Sequence, residues 1–207
     1  MADIEHPQLY LISPPEIELS RFPGLLGQCL DALPVACFRL ALSTGDEDKL
    51  SRASDACREI AHARDVAIVI GSHVPLAERL GLDGVHLSDG MKSVRAARKA
   101  LGDDAIVGSF CAASRHDGMT AGEAGADYVS FGPVAETALG DGSFAEQALF
   151  EWWSEMIEIP VVAEGALNAE RIRALTPFVD FLGIGPEIWS HDDPVGALIE
   201  MGRAAMG

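Results

Sequence analysis

Polar and ionisable residues of this chain fall repeatedly at the trailing ends of short apolar runs. One charge lies inside such a run: Arg39, in Cys37-Phe38-Arg39-Leu40-Ala41. A guanidinium among apolar neighbours must reach a wet mouth or be paired. Two readings stay open, contact with a ligand or an ion pair with an acid such as Glu164. His86, in Gly84-Val85-His86-Leu87, faces opposite to Val85 and Leu87 by strand alternation. It is expected to be a hydrogen-bonded core histidine. His73, His86 and Asp89 are of types that suit a transition metal, but their spacing follows no zinc pattern. Cys111 has no neighbour in sequence that makes a defined nucleophile–base pair, so it is expected to be unreactive. Two glycine-bearing strings, Glu164-Gly165-Ala166 and Gly185-Pro186-Glu187, would let an anion approach the backbone closely.

The elements that must position these residues alternate along the chain. Strand-length apolar runs recur at Gln8–Ser13, Val35–Leu42, Val66–Gly71, Asp83–Leu87, Ala105–Phe110, Asp127–Phe131, Pro160–Ala163 and Asp180–Gly185. Helical periodicity fills the gaps, as over Glu47–Arg64 and Phe144–Ile157. Thr44 with Glu47 reads as a capping box. Ser114, Asn168 and Asp193 before Pro194 read as N-caps, while Gly81, Gly102, Gly125 and Pro177 read as stops. Strands alternating with helices imply parallel pairing and right-handed crossovers. The first strand ends in Ser13-Pro14-Pro15 without the glycine-rich turn of a dinucleotide fold. The expectation is therefore an α/β protein, a (β/α)₈ TIM barrel forming one domain over residues 1–207.

That architecture selects the site. Barrel chemistry gathers at the C-terminal ends of the strands, and the loops after strands seven and eight often hold a phosphate beside a short extra helix. Gly165, Ala166, Gly185 and Pro186 are the expected phosphate loops, with a short helix over Glu187–Ser190. Ser72, Glu164 and Asp89 also lie at strand ends.

Composition narrows the partners. Hydrophobic residues make up 48%, which fits a globular chain, and the net charge of −17 opposes binding to nucleic acid or anionic membranes. An anionic substrate would need local donors such as an arginine, a metal ion or helix N-termini. Met1–Pro7 does not resemble a secretion signal, and no run is long enough for a membrane span. A cytoplasmic protein is expected. Cys29, Cys37 and Cys57 are expected as reduced core residues. Adjacent Trp152 and Trp153 cannot share one helix stripe, which leaves one to bury against a partner chain.

Several strings together resemble the thiamin phosphate synthase family and its thiazole tautomerase relatives. They are Leu9-Tyr10-Leu11-Ile12, Leu80 to Leu87, Ala124 to Pro133, Pro160-Val161-Val162-Ala163 and Asp193-Pro194. The resemblance implies a (β/α)₈ barrel that joins hydroxymethylpyrimidine diphosphate to thiazole phosphate and releases diphosphate with the help of Mg²⁺. The family's strand-two arginine falls on Arg39, and its following lysine on Ala41. Its Asn-Asp-Arg falls on Gly71-Ser72-His73, without the expected Mg²⁺ carboxylate, and its Gly-Gln-x-Asp falls on Ser88-Asp89-Gly90-Met91, leaving Asp89 as a displaced acid for the metal. Its strand-five serine falls on Phe110, between Ser109 and Cys111. Its Thr-x-Thr-Lys falls on Thr137-Ala138-Leu139-Gly140, and its two phosphate loops on Gly165-Ala166-Leu167 and Gly185-Pro186-Glu187-Ile188. The resemblance thus implies catalytic roles for Arg39, Ser109 and Thr137, substrate contacts from Ser72, His86 and Glu164, a phosphorylated small-molecule substrate and a homodimer. Glu187 would bring a negative charge to the phosphate position. Three readings stand: a synthase with a remodelled site, a tautomerase-like enzyme for one phosphorylated ring, or a non-catalytic binding barrel.

Overall fold

The computed structural model describes residues 6–137 and 142–206. Eight parallel strands close into a barrel in sequence order: β1 (Gln8–Ile12), β2 (Val35–Leu40), β3 (Ala67–Gly71), β4 (Gly84–Leu87), β5 (Ile106–Phe110), β6 (Tyr128–Phe131), β7 (Val161–Glu164) and β8 (Phe181–Ile184). β1 pairs with both β2 and β8, which seals the cylinder. Helices α1 (Phe22–Ala32), α2 (Glu47–His62), α3 (Val74–Leu80), α4 (Val94–Leu101), α5 (Arg115–Glu123), α6 (Gln147–Met156) and α7 (Ala169–Leu175) follow the first seven strands. After β8 come a short helix, α8 (Pro186–Trp189), and the last long one, α9 (Pro194–Met206). Among the described residues no helix is long and apolar enough to cross a membrane.

Strand alternation divides the core into two layers. Leu11, Phe38, Ile68, Val85, Val107, Val129, Ala163 and Leu182 point outward into the large cluster beneath the helices. Tyr10, Ile12, Cys37, Val69, Tyr128 and Val162 form a smaller cluster inside the cylinder. Aspartates at the bottom of three strands tie the barrel together. The carboxylate of Asp83 accepts from Ile68 N, that of Asp127 from Val107 N, and that of Asp180 from Val161 N, at 2.7, 2.7 and 2.8 Å. Each lies just before its own strand and takes an amide at the start of the preceding one, a donor with no ladder partner there.

The element boundaries depart from expectation where local hydrogen bonds win. The expected capping box is absent: Glu47 is already the first residue of α2, so it cannot reach back from the third. Asp46 caps the helix instead, accepting from Asp48 N and Lys49 N, while Thr44 Oγ1 takes Asp46 N. A carboxylate at this position also favours the helix dipole. β2 ends at Leu40 rather than Leu42 because Ser13 Oγ captures Ala41 N. α6 begins at Gln147, since Ala145 N is held by Pro133 O before the helix can form. The extra helix begins one residue early, with Pro186 at its first position. Ser114 and Asn168 cap as expected, and Gly81 ends α3 in the left-handed conformation.

Candidate active site

The mouth of the barrel is a cavity of about 340 Å³ whose lining includes Arg39, Ser72, His86, Phe110 and Glu164. Its floor is an ion pair across the cylinder. Arg39 Nη1 and Nη2 donate to Glu164 Oε2 and Oε1 at 2.9 and 3.0 Å. Gly183 on β8 leaves the space, because a side-chain carbon there would lie 2.9 Å from Glu164 Cβ. The two readings of Arg39 therefore resolve toward pairing, with the acid that the sequence suggested. Burial works against its charge, but the Glu164 carboxylate outweighs this and holds the guanidinium firmly protonated. Its Nε is buried without a partner among the described residues, as is Ser130 Oγ, which also points inward from β6.

Beneath this pair, three rings are joined by hydrogen bonds. Tyr10 Oη and Tyr128 Oη are 2.6 Å apart, and Tyr128 Oη lies 2.9 Å from His86 Nδ1. Burial, reinforced by the nearby Arg39, pushes the imidazole well below its usual range, so His86 is neutral. A proton order of Tyr10 to Tyr128 to His86 Nδ1 satisfies all three groups. His86 is thus the hydrogen-bonded core histidine expected of it, and it also lines the cavity. Burial drives the hydroxyls of Tyr10 and Tyr128 above their ordinary range, so both stay protonated. Neither tyrosine was identified as a site residue from sequence. The available signal was a hydroxyl-bearing ring at an inward position of an apolar strand.

The remaining expected residues are dispersed. Ser72 sits at the rim in a left-handed conformation, with its hydroxyl 3.3 Å from that of Ser88. Asp89 lines a neighbouring cleft with Ser72, Ser88 and Ser93, and accepts from Ser93 Oγ at 2.6 Å. Among the described residues no three His, Cys, Asp or Glu side chains come together as a metal cluster. Ser109 is not brought to the mouth. It alternates outward on β5 and donates to Gly90 O at 2.9 Å, while Phe110 faces the cavity. Thr137 is half-buried on the β6–α6 loop, and Ala138-Leu139-Gly140 lie outside the described residues. Cys111 is buried and its thiol is pushed up to about 11 by that burial, in keeping with an unreactive residue. A cleft of about 450 Å³ beside the mouth shares Leu42 with it and carries Lys49 and Arg52.

The loops after β7 and β8 lie side by side. Gly165 and Ala166 are both left-handed, at φ 75° and 59°, and this turn presents Leu167 N toward the β8 loop. There Glu187 intervenes: its Oε1 accepts from Leu167 N at 3.1 Å and its Oε2 from Gly185 N at 2.9 Å. The charge anticipated near this position is therefore seated on backbone donors from both loops.

Eight parallel strands closed in sequence order, with a polar mouth at their C-terminal ends, define a (β/α)₈ barrel, a fold that places its chemistry at that face. Comparison with known proteins gives the family. The model of the thiamine monophosphate synthase family matches residues 9–178. The thiamine-phosphate synthase of Rhodospirillum centenum is 38% identical over 97% of this chain and 98% of its own length. That of Erythrobacter litoralis is 41% identical over 93% of each. The solved thiamine phosphate pyrophosphorylase of Pyrococcus furiosus superposes with a TM-score of 0.83 at 20% identity, covering 96% of this chain and 95% of that one. The chain belongs to the thiamine monophosphate synthase family.

Proposed function

We propose that this protein is a thiamin phosphate synthase, joining hydroxymethylpyrimidine diphosphate to thiazole phosphate with release of diphosphate. The near full-length similarity to thiamine-phosphate synthases carries this reading. The mouth supports it chemically. The reaction proceeds by departure of diphosphate from the pyrimidine and attack by the thiazole nitrogen, so it needs no protein nucleophile. The mouth supplies a fixed polar floor instead. Glu164 holds Arg39 in one orientation, and the unpaired Arg39 Nε and Ser130 Oγ are hydrogen-bonding groups for a polar ring. Phe110 adds an apolar wall to the cavity.

Magnesium takes one or two carboxylates and draws its other ligands from water and substrate phosphates. Asp89, with the hydroxyls of Ser72, Ser88 and Ser93 in the same cleft, fits that limited role. Bound Mg²⁺ would neutralise the departing diphosphate. Free, buried cysteines agree with a cytoplasmic enzyme, and half-buried Trp152, covered by the Arg115 guanidinium at 4.6 Å, is our candidate for the edge of a homodimer contact.

One observation favours a second reading. Arg39 is the sole cation among the described residues lining the mouth, and its charge is answered by Glu164. A tautomerase-like enzyme of one phosphorylated ring, or a binding barrel, would need less positive charge than a diphosphate does. A product assay separates the readings. Purified protein is mixed with the pyrimidine diphosphate, the thiazole phosphate and Mg²⁺, and thiamin phosphate is followed by mass spectrometry. Multiple turnover is expected; no product beside an active control synthase would overturn the synthase reading.

A further inference from the structure

Backbone amides on two loops that converge on one carboxylate form an anion site with an anion already in it. Leu167 N belongs to the loop after β7 and Gly185 N to the loop after β8, and Glu187 bridges them with one oxygen each. The seat is tightly built. A side chain at Gly185 would lie 3.0 Å from Ile12 Cβ, and Ala166 adopts a left-handed backbone that disfavours any residue with a Cβ. Ala166 O further accepts from Arg171 Nη1 at 2.8 Å, which sets a cation of α7 against this loop. Strained backbone that persists in a packed loop marks a place where orientation of donors has been favoured over local comfort.

We propose that Glu187 is a resident anion that an incoming phosphate monoester must displace from the amides of Leu167 and Gly185. This rests on the synthase reading, with the loops after β7 and β8 receiving a substrate phosphate. Two anions cannot share these two donors, so phosphate enters only as the carboxylate leaves. Glu187 is only partly buried, on a four-residue helix at the rim, so its side chain can turn to solvent without unpacking the core. The plug lowers affinity for phosphate and keeps the amides paired when no substrate is bound.

The test is phosphate binding by calorimetry to the wild-type chain, Glu187→Gln and Glu187→Ala, with the amide resonances of Leu167 and Gly185 followed by NMR. Inorganic phosphate is the first probe and thiazole phosphate the second. Removing a competing charge-assisted contact should tighten phosphate binding by about tenfold or more in Glu187→Ala, with Glu187→Gln between it and wild type. In the wild type, phosphate should shift both amide resonances. A folded Glu187→Ala that binds phosphate no better, or worse, overturns the proposal. If that variant does not fold, unchanged affinity in Glu187→Gln with unmoved wild-type amides does the same. Binding is read without turnover. An inactive enzyme with tightened phosphate binding would sink the synthase reading alone, and an active enzyme with no gain would sink the plug alone.

Discussion

The replacement Glu164→Gln tests whether the floor of the mouth is held by charge. It preserves the shape of the side chain and removes its negative charge. Arg39 is 7% exposed and donates through both terminal nitrogens to this single carboxylate. After the change a buried guanidinium faces a neutral amide that can accept through only one oxygen. Breaking one partner of a buried pair costs roughly 3–5 kcal/mol. For a domain of this size each kcal/mol moves Tm by about 2–4 °C, so a fall on the order of 6–20 °C is expected. Urea unfolding followed by circular dichroism gives the free energy directly. The paired replacement Arg39→Met with Glu164→Leu should recover most of the loss, because it removes both charges together. A loss below about 1 kcal/mol for Glu164→Gln, within the range of exposed pairs, would refute the argument.

Three further outcomes follow from the interior. His86 is neutral in the fold with its pKa lowered, so stability is full above the unfolded value near 6.5 and falls as pH drops below it. The slope should approach about 1.4 kcal/mol per pH unit and should be absent in His86→Gln. Equal slopes in both proteins would contradict this. Asp180→Ala leaves Val161 N buried without its 2.8 Å acceptor and should cost about 1–3 kcal/mol in urea unfolding. Gly108→Ala would put a methyl group 2.0 Å from Tyr128 Cζ, forcing the ring away from His86. A loss of about 1–3 kcal/mol with a changed near-ultraviolet spectrum is expected, and a native spectrum would disprove the tight fit.

The barrel was legible because its signals are local. Strand length, helix period and stop glycines all lie within a few residues of what they control, as Gly81 at the end of α3 shows. The strings that carried the family resemblance turn out to be largely scaffold. In Leu82-Asp83-Gly84 and Ala126-Asp127-Tyr128 the aspartate is a clamp on the neighbouring strand. Gly84 has no room for a side chain against Ile106, whose carbonyl would lie 1.9 Å away. The site was less legible because its contacts span the chain. Alternation placed His86 inward, and the same rule applied to β5 would have turned Ser109 outward beside inward Phe110. Tyr10 and Tyr128 meet across 118 residues, which no window of sequence can show. Glu187 was noticed for its charge, but only the folded loops reveal which amides it holds.

Two sets of donors at the C-terminal ends of the strands are already engaged by the protein's own carboxylates. Glu164 holds the Arg39 fork, and Glu187 holds the amides of Leu167 and Gly185 on the loops after β7 and β8. In a chain of net charge −17 this has a physical logic. Donors left unpaired at the mouth would be solvated and free to reorient, and much of the advantage of a fixed electrostatic site lies in avoiding that reorganisation at the moment of reaction. Internal carboxylates keep the donors aimed while the site is empty. The two differ in how firmly they hold: Glu164 sits on a barrel strand above the hydrogen-bonded rings of Tyr10, Tyr128 and His86, whereas Glu187 sits on a short rim helix. Under the exchange proposed for Glu187, substrate enters at the rim above a floor that stays fixed. Disturbing Glu164 should therefore register chiefly in stability, and disturbing Glu187 chiefly in affinity for phosphate.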